Sequence, residues 1–185
     1  YENNLKLWAE PRLFKLDNDT SLRQLDSLFE DGEIRTVVDN AVSISNDLFE
    51  LQYPSDKDDE IAREQFNIRN LDLGVSFGTW VYFPWSKSLV RFPDKDDLRS
   101  LRTSRNRALI TEEEQKKLYD SIIAVFGLSV GSNVVERLVS SGIGGKLIIG
   151  DMDTIEPSNL NRINNSFLTV GAKKVHALGQ KISEI

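Results

Sequence analysis

Apolar and polar positions alternate in more than one rhythm along this chain. Thr20 to Phe29 (TSLRQLDSLF) sets Leu22, Leu25 and Phe29 at helical spacing, and Asp31-Gly32 closes the segment. Val37 to Leu51 brings Val37, Ala41, Leu48 and Leu51 near one face of a second predicted helix, ended by Pro54. Ser55 to Glu60 (SDKDDE) reads as a solvated loop rather than an acidic metal site, because nothing around its charges fixes their geometry. Gly78 to Phe92 (GTWVYFPWSKSLVRF) changes to strand character. Trp80, Val81, Tyr82 and Phe83 favour a pleated surface, Pro84 interrupts it, and Ser88 to Phe92 can return as a partner strand. The three aromatics there are expected to pack against the protein rather than to stack a ligand ring.

The second half has a clearer order. Thr111 and Glu114 stand three apart before Leu118, the signature of a capping box at a helix start. Ser121 to Phe126 (SIIAVF) is a continuous apolar run, as expected of a buried parallel strand. A glycine turn at 127–131 follows, then a helix over Ser132 to Ser141 with Val135, Leu138 and Val139 inward, stopped by Gly142. Lys146 to Gly150 (KLIIG) is a second buried strand. Strand, glycine turn, helix and strand make a βαβ unit, the opening of an α/β nucleotide-binding domain. A further helix spans Gly171 to Ile185, with Val175, Leu178, Ile182 and Ile185 as its apolar stripe and His176 turned to the surface. Phe92 to Ser100 is the best boundary, so residues 1–100 read as a mixed α+β adjunct and residues 101–185 as the nucleotide-binding part.

Composition narrows the function classes. The 185 residues fit one domain, or a domain with an adjunct, and contain no cysteine. That count excludes disulfides, thiolate zinc sites and a thiol nucleophile. No apolar run reaches the roughly 18 residues of a membrane span, and no signal segment opens the chain. A soluble, cytoplasmic protein is expected. The net charge of −6 is uneven: residues 1–100 carry 12 basic against 20 acidic side chains, residues 101–185 carry 11 against 9. The acidic first half argues against nucleic acid or an anionic membrane as partner, and the mildly basic second half suits a nucleotide phosphate. The chain begins at Tyr1 without methionine and stops inside the last predicted helix, so it reads as a fragment of a longer protein.

Gly127-Leu128-Ser129-Val130-Gly131 lies between a strand and a helix, where glycines let the backbone approach a phosphate. Asp151 follows Gly131 by 20 residues, the spacing of a ribose-binding carboxylate in a dinucleotide fold. The turn also matches G-x-S-x-G, the hydrolase nucleophile elbow. That elbow normally follows several strands, however, and His176 is the sole histidine. Asp151 to Arg162 (DMDTIEPSNLNR) then adds what a plain NAD-binding domain has no use for. Asp151 and Asp153 alternate along the strand exit and project differently. Asn159 and Arg162 stand three apart, so an amide and a guanidinium share one helical face and can hold phosphate oxygens.

Residues 102–176 resemble the N-terminal half of the ThiF/MoeB family, the adenylating domain shared with ubiquitin-activating enzymes. The resemblance rests on Arg102-Thr103-Ser104-Arg105-Asn106, Gln115, the 127–131 turn and Gly142-Ile143-Gly144. It continues through Asp151-Met152-Asp153-Thr154-Ile155, Ser158-Asn159-Leu160-Asn161-Arg162 and Gly171-Ala172-Lys173-Lys174. It implies a Rossmann-like α/β fold, ATP with Mg²⁺, and adenylation of a carboxylate with release of pyrophosphate. The carboxylate would be the C-terminal glycine of a ubiquitin-like protein or a small-molecule acid. Asp151 would hold the ribose; Asn159, Arg162 and Lys174 would hold the phosphates. Gly127, Ser129, Gly131 and Asp153 complete the implied nucleotide-contacting set. Arg105, Arg162 and Lys174 are the implied catalytic residues, Arg105 reaching the neighbouring site of a homodimer. The metal ligand, a crossover loop and any catalytic cysteine would lie beyond Ile185.

Two departures stand out. The glycine turn is one residue short, with Ser129 where glycine is usual, and Ile163 stands where the family has glutamine. GLSVG together with WVYFPWS resembles a divergent bacterial branch in which a ThiF-like domain is fused to a nitroreductase-like domain. The leading expectation is therefore an ATP-dependent adenylyltransferase. The alternatives are a degenerate nucleotide-binding or dimerisation module regulating a fused oxidoreductase, and an NAD-binding oxidoreductase.

Overall fold

The computed structural model describes residues 8–17 and 19–185. The chain divides into two compact units, Ala9–Ser104 and Arg105–Ile185, the latter joined by Trp8. The division falls after residue 100 because a helix there carries the first unit on.

The first unit runs β1 (Arg12–Phe14), α1 (Asp19–Glu30), β2 (Thr36–Val38), α2 (Ala41–Gln52), α3 (Glu60–Leu71), β3 (Thr79–Phe83), β4 (Ser88–Phe92) and α4 (Lys95–Thr103). Its sheet has the order β1-β3-β4-β2, with β1/β3 and β3/β4 antiparallel and β2/β4 parallel. Trp80 and Tyr82 join Phe14, Leu16, Leu25, Leu28 and Leu89 in one core, while Val81 and Phe83 pack with Trp85 in another. The aromatics of β3 are thus packing residues. Arg91 of β4 is buried with them: its guanidinium lies 4.4 Å from the Trp80 ring and donates to the Gly74 carbonyl at 2.9 Å. Its Nε sits 3.0 Å from Asp39 Oδ1 but off line for a hydrogen bond, so that contact is coulombic.

Three boundaries differ from the sequence expectation. Val37 and Val38 belong to strand β2 rather than to a helix, because they pair with Leu89 and Val90; α2 then begins at Ala41, whose N–H donates to Asp39 Oδ1. Helix α3 was not expected. Asp59, within the expected polar loop, caps it by accepting the Ala62 N–H at 3.0 Å, and Phe66 buries it against Phe49 of α2. The last helix starts three residues later than expected, for a reason given with the site.

The second unit runs α5 (Glu112–Asp120), β5 (Ile122–Phe126), α6 (Gly131–Ser140), β6 (Lys146–Gly150), 3-10 turns at Pro157–Asn161 and Phe167–Thr169, and α7 (Lys174–Ser183). The Thr111–Glu114 capping box is present. β5 and β6 are parallel, from Ile122 beside Lys146 to Phe126 beside Gly150. This is the expected α/β arrangement. Leu128, Val135 and Leu178 form its core with Val125, Val139, Leu147, Ile149, Val175 and Ile182. Gln115 is buried between Asn106, which donates to its Oε1 at 3.0 Å, and the Gly142 carbonyl, to which it donates at 3.4 Å. Among the described residues no helix is long and apolar enough to cross a membrane.

Candidate functional site

The site grows from the ends of β5 and β6. Gly127 leaves β5 with φ +85°, a conformation that favours glycine, and donates its N–H to the Gly150 carbonyl at 2.9 Å. Gly131 opens α6 so close to β5 that a Cβ there would meet Val125 Cγ1 at 2.9 Å. Asp151 ties the two strand ends together: Oδ2 accepts the Leu128 N–H at 2.6 Å and Oδ1 the Asp153 N–H at 2.8 Å. Its side chain is only 8 % exposed. Burial pushes the Asp151 carboxyl up, but the two backbone donors and the Lys174 ammonium outweigh it and hold the pKa below the ordinary value.

After Asp153 the chain folds back on itself. Thr154 bridges Lys173, Ile155 donates to the Ala172 carbonyl and Gly171 to that of Ile155, both at 2.8 Å, and Lys174 donates its N–H to the Asp153 carbonyl at 3.1 Å. Residues 171–173 are therefore spent on pairing, and α7 begins only at Lys174. This pairing carries the Lys174 side chain into the site. Lys174 is 5 % exposed, and Nζ lies 2.8 Å from Asp153 Oδ2, 3.3 Å from Ser129 Oγ and 3.8 Å from Asp151 Oδ2. A buried ammonium needs such partners. It also sits at the first turn of α7, where the helix dipole is already positive, beside Lys173.

Asn159 and Arg162 come from the 3-10 turn that follows. Asn159 is buried, and its Oδ1 accepts the Glu156 N–H at 3.2 Å, which turns its NH₂ end away as a donor. Arg162 is exposed and donates to the Ser158 carbonyl at 3.2 Å and to Asn161 Oδ1 at 2.9 Å; among the described residues it has no ion pair with a carboxylate. The Asn133 amide holds the Arg162 carbonyl at 2.9 Å, fastening the turn to α6. Ile163, in place of glutamine, is buried and anchors the same turn.

Ser129, Asp153, Asn159, Arg162 and Lys174 all line one cavity of about 440 Å³, with Met152, Thr154, Glu156 and Lys173. Gly127, Gly131 and Asp151 stand behind it as its frame. Arg105 is exposed on the 3-10 turn Ser104–Asn106 and does not line the cavity. His176 is not a surface residue. It is half-buried, because Ala177, Leu178 and Gly179 pack inward beside it, and its enclosed Nδ1 has no hydrogen-bond partner among the described residues. Ser129 is bonded by Lys174 and not by His176 among the described residues, so the Ser–His pair that the hydrolase reading needs is not formed. Sequence reasoning missed Met152, Thr154, Glu156 and Lys173 as lining residues. Lys173 Nζ donates to the Met152 carbonyl at 2.8 Å, and the adjacent lysine pair was its only signal.

Two ammonium groups, a guanidinium, a buried amide and a polar wall can hold phosphate oxygens. Among the described residues no group of three or more His, Cys, Asp or Glu converges as a metal site. Residues 103–185 match the ThiF family. The chain is also 34 % identical over 133 residues to uncharacterized protein MT1398 of Mycobacterium tuberculosis, a match covering 69 % of this chain and 19 % of that protein. The chain thus spans about a fifth of that relative's length. No solved structure matches.

Proposed function

We propose that this unit, whose residues 103–185 match the ThiF family, binds ATP and activates a carboxylate by adenylation. One observation carries the reading. Lys174 from the start of α7, and Arg162 and Asn159 from one 3-10 turn, reach one cavity beside a glycine turn framed by Asp151. This donor set fits the phosphates. Asn159, Arg162 and Lys174 would hold them, Asp151 the ribose, and the Gly127, Ser129 and Gly131 turn would lie along them, with Asp153 beside Lys174.

The residue types suit the reaction. A carboxylate is already ionised at neutral pH, so no histidine or cysteine base is needed. Its oxygen attacks the α-phosphorus of ATP, the bond from that phosphorus to the bridging oxygen breaks, and pyrophosphate leaves. Charge gathers on the phosphoryl oxygens and the leaving group, where Arg162 and Lys174 can stabilise it. Mg²⁺, when bound, would neutralise further phosphate charge. The acceptor we propose is a ubiquitin-like C-terminus or a small acid, and we propose a homodimer in which Arg105 serves the neighbouring site. The fused nitroreductase-like domain belongs to the same proposal.

A second reading, a nucleotide-binding module regulating a fused oxidoreductase, is favoured by one feature: Lys174 already has partners inside the protein. ATP–pyrophosphate exchange with Mg²⁺ separates the two. Exchange that depends on an added carboxylate or ubiquitin-like protein supports adenylation, and ATP binding without exchange supports the module. Arg162→Ala should weaken ATP binding by about 1.5–3 kcal/mol, the range for a charged hydrogen bond. Unchanged affinity in a calorimetric titration removes Arg162 from the site.

A further inference from the structure

We propose that Asp153 is a built-in counter-ion that nucleotide phosphates must displace from Lys174. The proposal rests on the nucleotide reading above and concerns how the site discriminates among ligands. The two aspartates beside Lys174 are not equivalent. Asp151 is enclosed, and both its oxygens accept backbone N–H groups, so it is a fixed part of the frame. The Asp153 side chain is 73 % exposed and lines the cavity, and its carboxylate makes its short contact, 2.8 Å, to Lys174. Lys174 itself is buried and is positioned by Ser129 Oγ and by its own backbone bond to the Asp153 carbonyl. The ammonium therefore faces the cavity with one fixed, more distant anion behind it and one close anion free to swing into solvent.

The consequence is electrostatic. An arriving polyanion meets the Asp153 charge before it gains Lys174. It binds only by pushing that carboxylate aside or by tolerating its repulsion, and either way Asp153 opposes it. A ligand without phosphates feels neither effect. Asp153 thus sets a charge threshold for occupancy, lowering the affinity for phosphate-bearing ligands while leaving that for a bare nucleoside untouched, and it holds the buried lysine in place when the site is empty. Ser129, the residue that departs from the usual glycine, supports the same arrangement by holding Lys174 at 3.3 Å.

The test compares the full-length protein with its Asp153→Asn and Asp153→Glu variants by titration with ATP and with adenosine, in EDTA so that no metal bridges the groups. Asparagine keeps the shape of an exposed side chain and removes its charge. Asp153→Asn should tighten ATP binding on the order of fivefold, the size expected for a screened charge a few ångströms away. Adenosine affinity should stay within twofold in both variants, and Asp153→Glu, which keeps the charge, should bind ATP like the wild type. Unchanged or weaker ATP binding by Asp153→Asn, with the wild type binding ATP, overturns the counter-ion role and leaves the nucleotide reading standing. Absence of ATP binding in all three proteins overturns both.

Discussion

Strands β3 and β5 have the same apolar character and opposite surroundings. In β3, Trp80, Val81, Tyr82 and Phe83 are all buried, and successive side chains enter separate cores on the two faces. In β5, Ile123 and Val125 face inward, Val125 joining the core of α6 and α7, while Ile122 and Phe126 are 68 % and 77 % exposed. Ile148 of the neighbouring strand is exposed on β6 as well. A continuous apolar run therefore reports a demand for burial on two faces. Among the described residues β3 meets that demand twice and β5 once. The first unit owes its stability to side-chain burial. The second combines one packed face with the polar frame of its site, where Asp151 and the glycine turn join the strand ends.

The comparison breaks first at Trp80. Its ring is buried, carries Arg91 on its face and donates its indole N–H to the Val75 carbonyl at 3.1 Å. Trp80→Ala should cost about 3–5 kcal/mol in urea denaturation, the range for removing a buried aromatic. A loss below about 1 kcal/mol would mean that the double-faced core does not hold the first unit together.

The second unit offers a paired test on adjacent elements. Leu128 is fully buried, and Leu128→Ala should cost about 2–5 kcal/mol. Phe126, two residues earlier, should lose no more than about 0.5 kcal/mol as Phe126→Ala, as an exposed position does. Comparable losses from the two variants would show that the outward face of β5 is covered in solution.

Legibility in the sequence follows the same division between local and distant causes. The β3–β4 hairpin, β5, β6, α6 and the capping box are written in neighbouring residues, and each appears within a residue or two of its expected place. Helix α3 was hidden because charged Glu60, Arg63, Glu64 and Arg69 dilute its apolar positions, and because its cap, Asp59, lies in an acidic run. Strands β1 and β2 are three residues each and exist through partners some 50 to 70 positions away, which no local pattern announces. In the site, the residue types were legible from Ser129, Asp151, Asp153, Asn159, Arg162 and Lys174. Their coupling was not. The ion pair between Lys174 and Asp153 depends on the backbone pairing of 153–155 with 171–174, which also delays the start of α7.

The smallest effect tests whether α5 belongs to the scaffold or to the site. Thr111 Oγ accepts the Glu114 N–H at 3.2 Å, and Glu114 Oε2 accepts the Thr111 N–H at 2.8 Å and hydroxyl at 3.0 Å. The Thr111 N–H first, and its hydroxyl second, hold the Glu114 carboxyl below its ordinary pKa. Thr111→Ala removes the hydroxyl and leaves the Glu114 N–H without its cap, at a cost of about 1 kcal/mol; Thr111→Ser should retain most of the stability. One turn further on, Gln115 links this helix to the Gly142 carbonyl behind α6, so a frayed α5 has a route to the glycine turn. Unfolding and ATP titrations on the same variant distinguish the roles. A loss near 1 kcal/mol with wild-type ATP affinity makes α5 scaffold alone. A parallel loss of affinity makes the capping box a support of the nucleotide site, acting through Gln115.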